Sequence, residues 1–294
     1  MKINNVKLII VLFLLLPMVN LQAQSLDDLL GYEPPDVLRA VHAESRDFDT
    51  YTRELHYLRR SFDTPIPFYL AYPRDKTSFK GVVLMLHGIT SSKDIWWQDS
   101  GPYHRVGEYR QKLLKAGYVL VLPDSRFHGQ RVYEGNFESP KKVLERQEWH
   151  RLKAMIGGSV SDFRGLLDYV QLDDRFKDLP LGVLGMSLGA IQTLLISAVD
   201  ERIDFLVPVF PPVQSVSPII DPIAPLTVAS KIASPCLLLI SDQDVWYSLE
   251  DGKQLFETLS CKDKTLKVLS TPHELGYSEA ELVVNWIKQN TPKP

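Results

Sequence analysis

Apolar residues along the chain fall into short runs of strand length and longer stretches with helical spacing, and the two kinds take turns. Segments 54–62 (ELHYLRRSF) and 65–73 (PIPFYLAYP) read as extended runs meeting at Asp63-Thr64-Pro65, an antiparallel pair preceded by a polar leader. From residue 80 onward a strict exchange begins. KGVVLMLHG (80–88) is a buried strand, VGEYRQKLLKAG (106–117) a helix closed by Gly117, and YVLVLPD (118–124) the next strand. SVSDFRGLLDYVQL (159–172) has helical spacing, and 179–199 (LPLGVLGMSLGAIQTLLISAV) passes from a strand directly into a helix. IDFLVPVF (203–210) and PCLLLISD (235–242) add two strands, LEDGKQLFETL (249–259) a helix, KTLKVLS (264–270) a last strand and SEAELVVNWIKQ (278–289) a last helix. Such alternation builds a mostly parallel central sheet with helices on both faces, an α/β fold.

Two segments interrupt the pattern. Residues about 130–156 are charged, with Trp149, Leu152, Met155 and Ile156 at helical spacing; residues 210–234 carry five prolines, Pro211, Pro212, Pro218, Pro222 and Pro225. Both follow the carboxyl ends of strands, where open α/β sheets bind ligands, so they are expected to form a cap or lid over one domain spanning residues 24–294. Residues 1–23 differ in kind: Lys2 and Lys7 precede an apolar block from Leu8 to Val19, and a small residue, Ala23, ends it. That order reads as a cleaved signal peptide, because the block is short for a span of ~20 residues. The expectation is an exported protein, periplasmic or secreted, with no membrane span after cleavage.

Composition narrows the partners. Of 294 residues 45% are hydrophobic, enough for a sizeable core; removing residues 1–23 takes away two lysines and leaves 31 basic against 36 acidic groups, a net charge of −5. Nucleic acid is not expected as a partner. Cys236 and Cys261 are the two cysteines, and no Cys/His spacing resembles a zinc site, so no metal and no cofactor are expected. Both cysteines stand toward the amino ends of neighbouring strands, as a disulfide or as two buried thiols.

The chemistry enters at Gly185-Met186-Ser187-Leu188-Gly189, where strand gives way to helix. A serine on so sharp a turn needs glycines two residues to either side, since a side chain there would meet the crossing chain. A serine hydroxyl becomes a nucleophile only when a histidine takes its proton and an acid orients that histidine. Six histidines, His42, His56, His87, His104, His128 and His150, precede Ser187; His273 alone follows it, just after the last strand. Asp242 and Asp244 both follow the strand at 235–242, and Asp244 has the longer reach; Asp242 is then its hydrogen-bonding neighbour. Backbone N–H groups of Leu188 and Ile89 are the candidate oxyanion donors. His87 and His128 read as structural hydrogen-bonding groups. Trp96, Trp97, Phe127 and Trp246 follow strand ends and are candidate pocket linings.

The segments LMLHGITSSKD, LPDSRFHGQR, GMSLGA, LLLISDQD and TPH, in that order, resemble the α/β-hydrolase superfamily over nearly all of the chain after the leader. Within it, PDSRFHGQR and the helical segment around Trp149 resemble dienelactone-hydrolase and prolyl-oligopeptidase-like serine esterases. The resemblance implies the α/β-hydrolase fold, with Ser187, Asp244 and His273 as triad and a small-molecule or glycan ester as substrate, cleaved through an acyl-enzyme. Two other readings stay open: a compact serine peptidase or thioesterase of the same fold, and a non-catalytic binding protein that kept it.

Overall fold

The computed structural model describes residues 26, 30, 32–34, 38–60, 64–75, 78–100, 104–213, 216–273 and 277–293. The expected signal peptide, residues 1–23, lies outside them. Nine strands form one sheet: β1 Leu38–Asp47, β2 Tyr51–Arg60, β3 Ile66–Pro73, β4 Val82–Leu86, β5 Val119–Pro123, β6 Leu181–Met186, β7 Ile203–Val209, β8 Cys236–Ser241 and β9 Lys264–Leu269, in the spatial order β1-β2-β3-β5-β4-β6-β7-β8-β9. The first three strands are antiparallel, β3 runs antiparallel to β5, and every pairing from β5 to β9 is parallel.

The helices are α1 His104–Ala116, α2 Pro140–Glu145, α3 Trp149–Gln171, α4 Leu188–Val199, α5 Pro225–Val228, α6 Leu249–Thr258 and α7 Tyr277–Asn290. They cover both faces because the central strands are apolar on both. Along β4, Val82, Leu84 and Leu86 join the core formed with Phe163 of α3, Leu194 of α4 and Leu255 of α6, whereas Val83 and Met85 join Tyr109 and Leu113 of α1 and Val283 and Ile287 of α7. Helix α1 ends where Gly117 takes φ 101°, as the pattern expects.

The structure departs from the sequence reading in two places. Strand β1 occupies what reads as a polar leader. Its residues are almost all exposed, and it is held at the sheet edge by backbone pairing to β2, so it carries no buried alternation to read. Helix α3 is one element of 23 residues, where the pattern separates a charged segment from a helix at 159–172. The apparent break is Gly157-Gly158. A Cβ at 158 would stand 2.6 Å from the Arg126 guanidinium and would push that side chain aside.

Chain order reverses about β4: β5 lies to one side of it and β6 to the other. Loops leaving the carboxyl ends of β4 and β6 therefore part around a crevice, the usual ligand position in such sheets.

Candidate active site

Ser187 stands between β6 and α4 with φ 57° and ψ −114°, a conformation a side-chain-bearing residue adopts only when its surroundings enforce it. Two contacts do so. The Ser187 N–H donates to the Val209 carbonyl at 2.9 Å. The flanking glycines let the chain cross itself: a Cβ on Gly185 would collide with the Gly189 carbonyl, and one on Gly189 with the Leu86 carbonyl. Helix α4 begins at Leu188, so the Leu188 N–H belongs to the unsatisfied first turn beside the serine.

The loop after β4 approaches from the other side of the crevice. A Cβ on Gly88 would sit 3.6 Å from Cβ of Ser187. The Gly88 carbonyl accepts from three donors, His87 Nδ1 at 2.9 Å, Ser91 Oγ at 3.1 Å and Ser91 N at 3.2 Å. In a trans peptide the N–H points opposite the carbonyl, so the anchored Gly88 oxygen fixes where the Ile89 N–H points. His87 is fully buried; burial pushes its pKa down, which keeps the ring neutral, and its Nε2 accepts from the Ser125 N–H at 3.1 Å. His128 faces the Ile89 carbonyl through Nε2 at 3.0 Å and the Arg126 carbonyl through Nδ1 at 2.7 Å. Two carbonyls would suit an imidazolium, but stripping water from a full charge costs more than one such bond returns. Burial, and His87 next to it, push the His128 pKa down to about 4.

The remaining charges of PDSRFHGQR tie this loop down. Asp124 is wholly buried and accepts from Lys93 Nζ and Lys93 N, both at 2.9 Å, and from Gln130 N at 3.0 Å. Arg126 and Arg131 converge on buried Asp162 of α3, at 2.9 Å and 2.8 Å. Removing one member of such a set leaves an uncompensated buried charge.

On the loop after β8, the Asp244 side chain has no exposed surface and meets His273 Nδ1 at 2.6 Å through Oδ2, while Oδ1 accepts from Trp246 N at 2.9 Å. Tyr247 accepts from Ser241 N at 3.2 Å, and burial and the nearby Asp244 carboxylate push its pKa up. Asp242 is exposed and accepts instead from Ser270 Oγ at 2.8 Å. Because Nδ1 faces a carboxylate it carries the ring proton, which leaves the lone pair on Nε2. That nitrogen is buried and has no hydrogen-bond partner. The ring packs on Phe210, next to the Val209 that holds Ser187, with centroids 5.8 Å apart.

A cavity of about 140 Å³ opens over Ser187. Ile89 and Leu188 border it, Leu144, Leu152 and Ile156 reach it from α2 and α3, and Pro212, Val216, Ile220 and Ile223 from the proline-rich segment. Both interrupting segments thus contribute walls. Of the four expected aromatic linings, Trp246 alone lies on this cavity. Trp96 has no exposed surface and packs in the core with Tyr109. Trp97 stacks on Tyr51 and meets Tyr69 edge-on under the Arg53 and Arg110 guanidiniums. Phe127 packs against the core beneath Arg151, at φ 67°. Of the aliphatic linings, Leu152 and Ile156 lie on the helical spacing of 149–156, whereas Val216, Ile220 and Ile223 stand among prolines that break any period.

Residues 67–274 match the dienelactone hydrolase family. No curated protein matches the chain. Among solved structures, a cold-adapted esterase from an Arctic intertidal metagenomic library superposes with TM-score 0.67 at 20% identity, over 85% of this chain and 98% of its own. Acetyl xylan esterase from Paenibacillus sp. R4 gives 0.66 at 14% identity, over 90% and 92%. Acetyl xylan esterase 1 from Thermoanaerobacterium sp. JW/SL YS485 gives 0.65 at 13%, over 90% of each chain. The chain therefore belongs to the dienelactone hydrolase family and is a carboxylic ester hydrolase of the α/β-hydrolase fold.

Proposed function

We propose that the protein cleaves esters of small apolar carboxylic acids through an acyl-enzyme formed on Ser187, with His273 as general base and Asp244 orienting it. The observation that carries this reading is the buried, partnerless Nε2 of His273, whose other nitrogen is held by Asp244. His273 Nε2 takes the Ser187 hydroxyl proton as Oγ bonds to the acyl carbon, and the negative charge on the carbonyl oxygen is met by the N–H groups of Leu188 and Ile89. The same proton passes to the leaving alcohol as the ester bond breaks. Water, deprotonated by His273, then releases the acid and restores the serine.

Substrate class follows from the walls. Among the described residues Ser187 supplies the only hydroxyl on the cavity, and no charged group borders it. At ~30 Å³ for a water-sized group, about 140 Å³ holds an apolar acyl chain of about four or five heavy atoms. The amino-terminal pattern supports an exported enzyme, cleaved after residue 23.

One labelling experiment tests site and export together. Full-length protein expressed with its leader and treated with a fluorophosphonate should gain one adduct, on a chain that has lost residues 1–23. Ser187→Ala should fold, take no label and hydrolyse no ester. Undiminished labelling of the folded variant overturns the nucleophile, and an uncleaved mass overturns the leader.

A further inference from the structure

Four and five strand positions from β6, at the antiparallel end of the sheet, two imidazoles and a carboxylate converge. We propose that His42, Glu54 and His56 form a binding site for a divalent transition-metal ion of the zinc class, bridging β1 and β2. His42 and His56 are directly opposed in the β1–β2 register, and Glu54 precedes His56 by two residues, which in a strand returns to the same face. One ligand atom from each of the three lies within 4.8 Å of the other two. The rings of His42 and His56 are stacked with centroids 5.0 Å apart, and the register shifts by a bulge immediately beyond His42.

Each side chain is prepared for a ligand's role. His42 gives its Nε2 proton to the Glu44 carbonyl at 3.0 Å, which leaves Nδ1 with a free lone pair. A backbone carbonyl on the far nitrogen is the usual support of a metal-bound histidine. His56 is 8% exposed; its Nε2 faces Glu54 Oε2 at 2.9 Å, and its Nδ1 is buried without a hydrogen-bond partner. Tyr72 donates its hydroxyl to Glu54 Oε1 at 2.8 Å, orienting the carboxylate from behind. Phe68 and Tyr169 wall the inner side of His56, while His42 stands exposed and leaves an outer position open to water. The nearby Arg175 guanidinium is engaged by both oxygens of Asp173.

Two imidazoles and one carboxylate bind zinc or its neighbours in preference to magnesium or calcium, which want oxygen. An ion here would sit between His56 Nε2 and Glu54, with the ring proton passing to His56 Nδ1, and would draw in His42, fastening the exposed edge strand to its neighbour. Spacing within one segment does not reveal such a site, because the ligands come from two strands.

Titration of the full chain with zinc chloride by calorimetry should give one equivalent bound, and cobalt(II) should develop the visible absorption of a low-coordinate nitrogen and oxygen site. His42→Ala, at an exposed position, should lose about tenfold or more in affinity, Glu54→Gln likewise, and Tyr72→Phe about tenfold through the carboxylate alone. Ester hydrolysis by His42→Ala should be unchanged. Absence of saturable binding overturns the proposal. So does an equivalent held as tightly by His42→Ala, which would put the ion elsewhere, at His273 or at the two thiols.

Discussion

Asp242 and Asp244 are two residues apart on one loop, and burial separates their tasks. The side chain of Asp244 is out of water and shares a proton with His273; Asp242 is exposed beside Ser270. Asp244→Asn should lower kcat by about 10⁴-fold, the loss expected when the base is held in the wrong tautomer, and Asp242→Asn should lower it little. Steady-state kinetics with a chromogenic ester decides, and a larger loss for Asp242→Asn would reverse the assignment. His87 and His128 report on pH in a different way. Both have folded pKa values pushed below the ordinary 6.5, His128 to about 4. A histidine kept neutral by the fold leaves stability intact above 6.5. It withdraws stability as pH falls from 6.5 toward 4, because the unfolded chain takes up the proton first. For His128 the full difference is about 3 kcal/mol at 1.36 kcal/mol per pKa unit. Urea unfolding at pH 7 and pH 5 should show a lower midpoint at the acid end, and His128→Gln should flatten that slope. A midpoint that rises on acidification contradicts the neutral ring.

At the scale of elements, legibility followed burial. Strands β4 to β8 are apolar on both faces and bounded by turn residues, so their runs stand out, and Gly185 and Gly189 announced a turn that sterics confirm. The serine and the only histidine after it needed chain order alone. The partnership of Asp244 with His273 needed the side-chain packing that Tyr247 provides, which no local pattern encodes. Strand β1 and the individual linings from the proline-rich segment were hidden for opposite reasons. The first buries almost nothing; the second are aliphatics scattered among prolines. On the proposed function those aliphatics set acyl size. Ile220→Trp should therefore cut kcat/KM for hexanoyl esters at least tenfold while acetyl esters lose little. An equal loss on both would mean that Ile220 positions the cap instead of bounding the chain.

The whole molecule joins two unlike halves on one sheet. Among the described residues no helix is long and apolar enough to cross a membrane. Cys236 and Cys261 are free and buried, toward the amino ends of β8 and β9, on the edge opposite His273. The antiparallel β1–β3 end carries the exposed His42 and the aromatic and guanidinium stack around Trp97. The parallel end carries the reacting groups.

His273 sits directly beyond β9, the last strand to be made and the outermost of its side of the sheet. On the proposed reading the serine, its glycines and the Leu188 and Ile89 N–H groups all lie between residues 88 and 189, Val209 of β7 then holds the serine, and the base follows more than eighty residues after Gly189. On that reading a chain cut off before β9 carries the serine without its base and should turn over no ester, so that activity would report a sheet closed to its ninth strand.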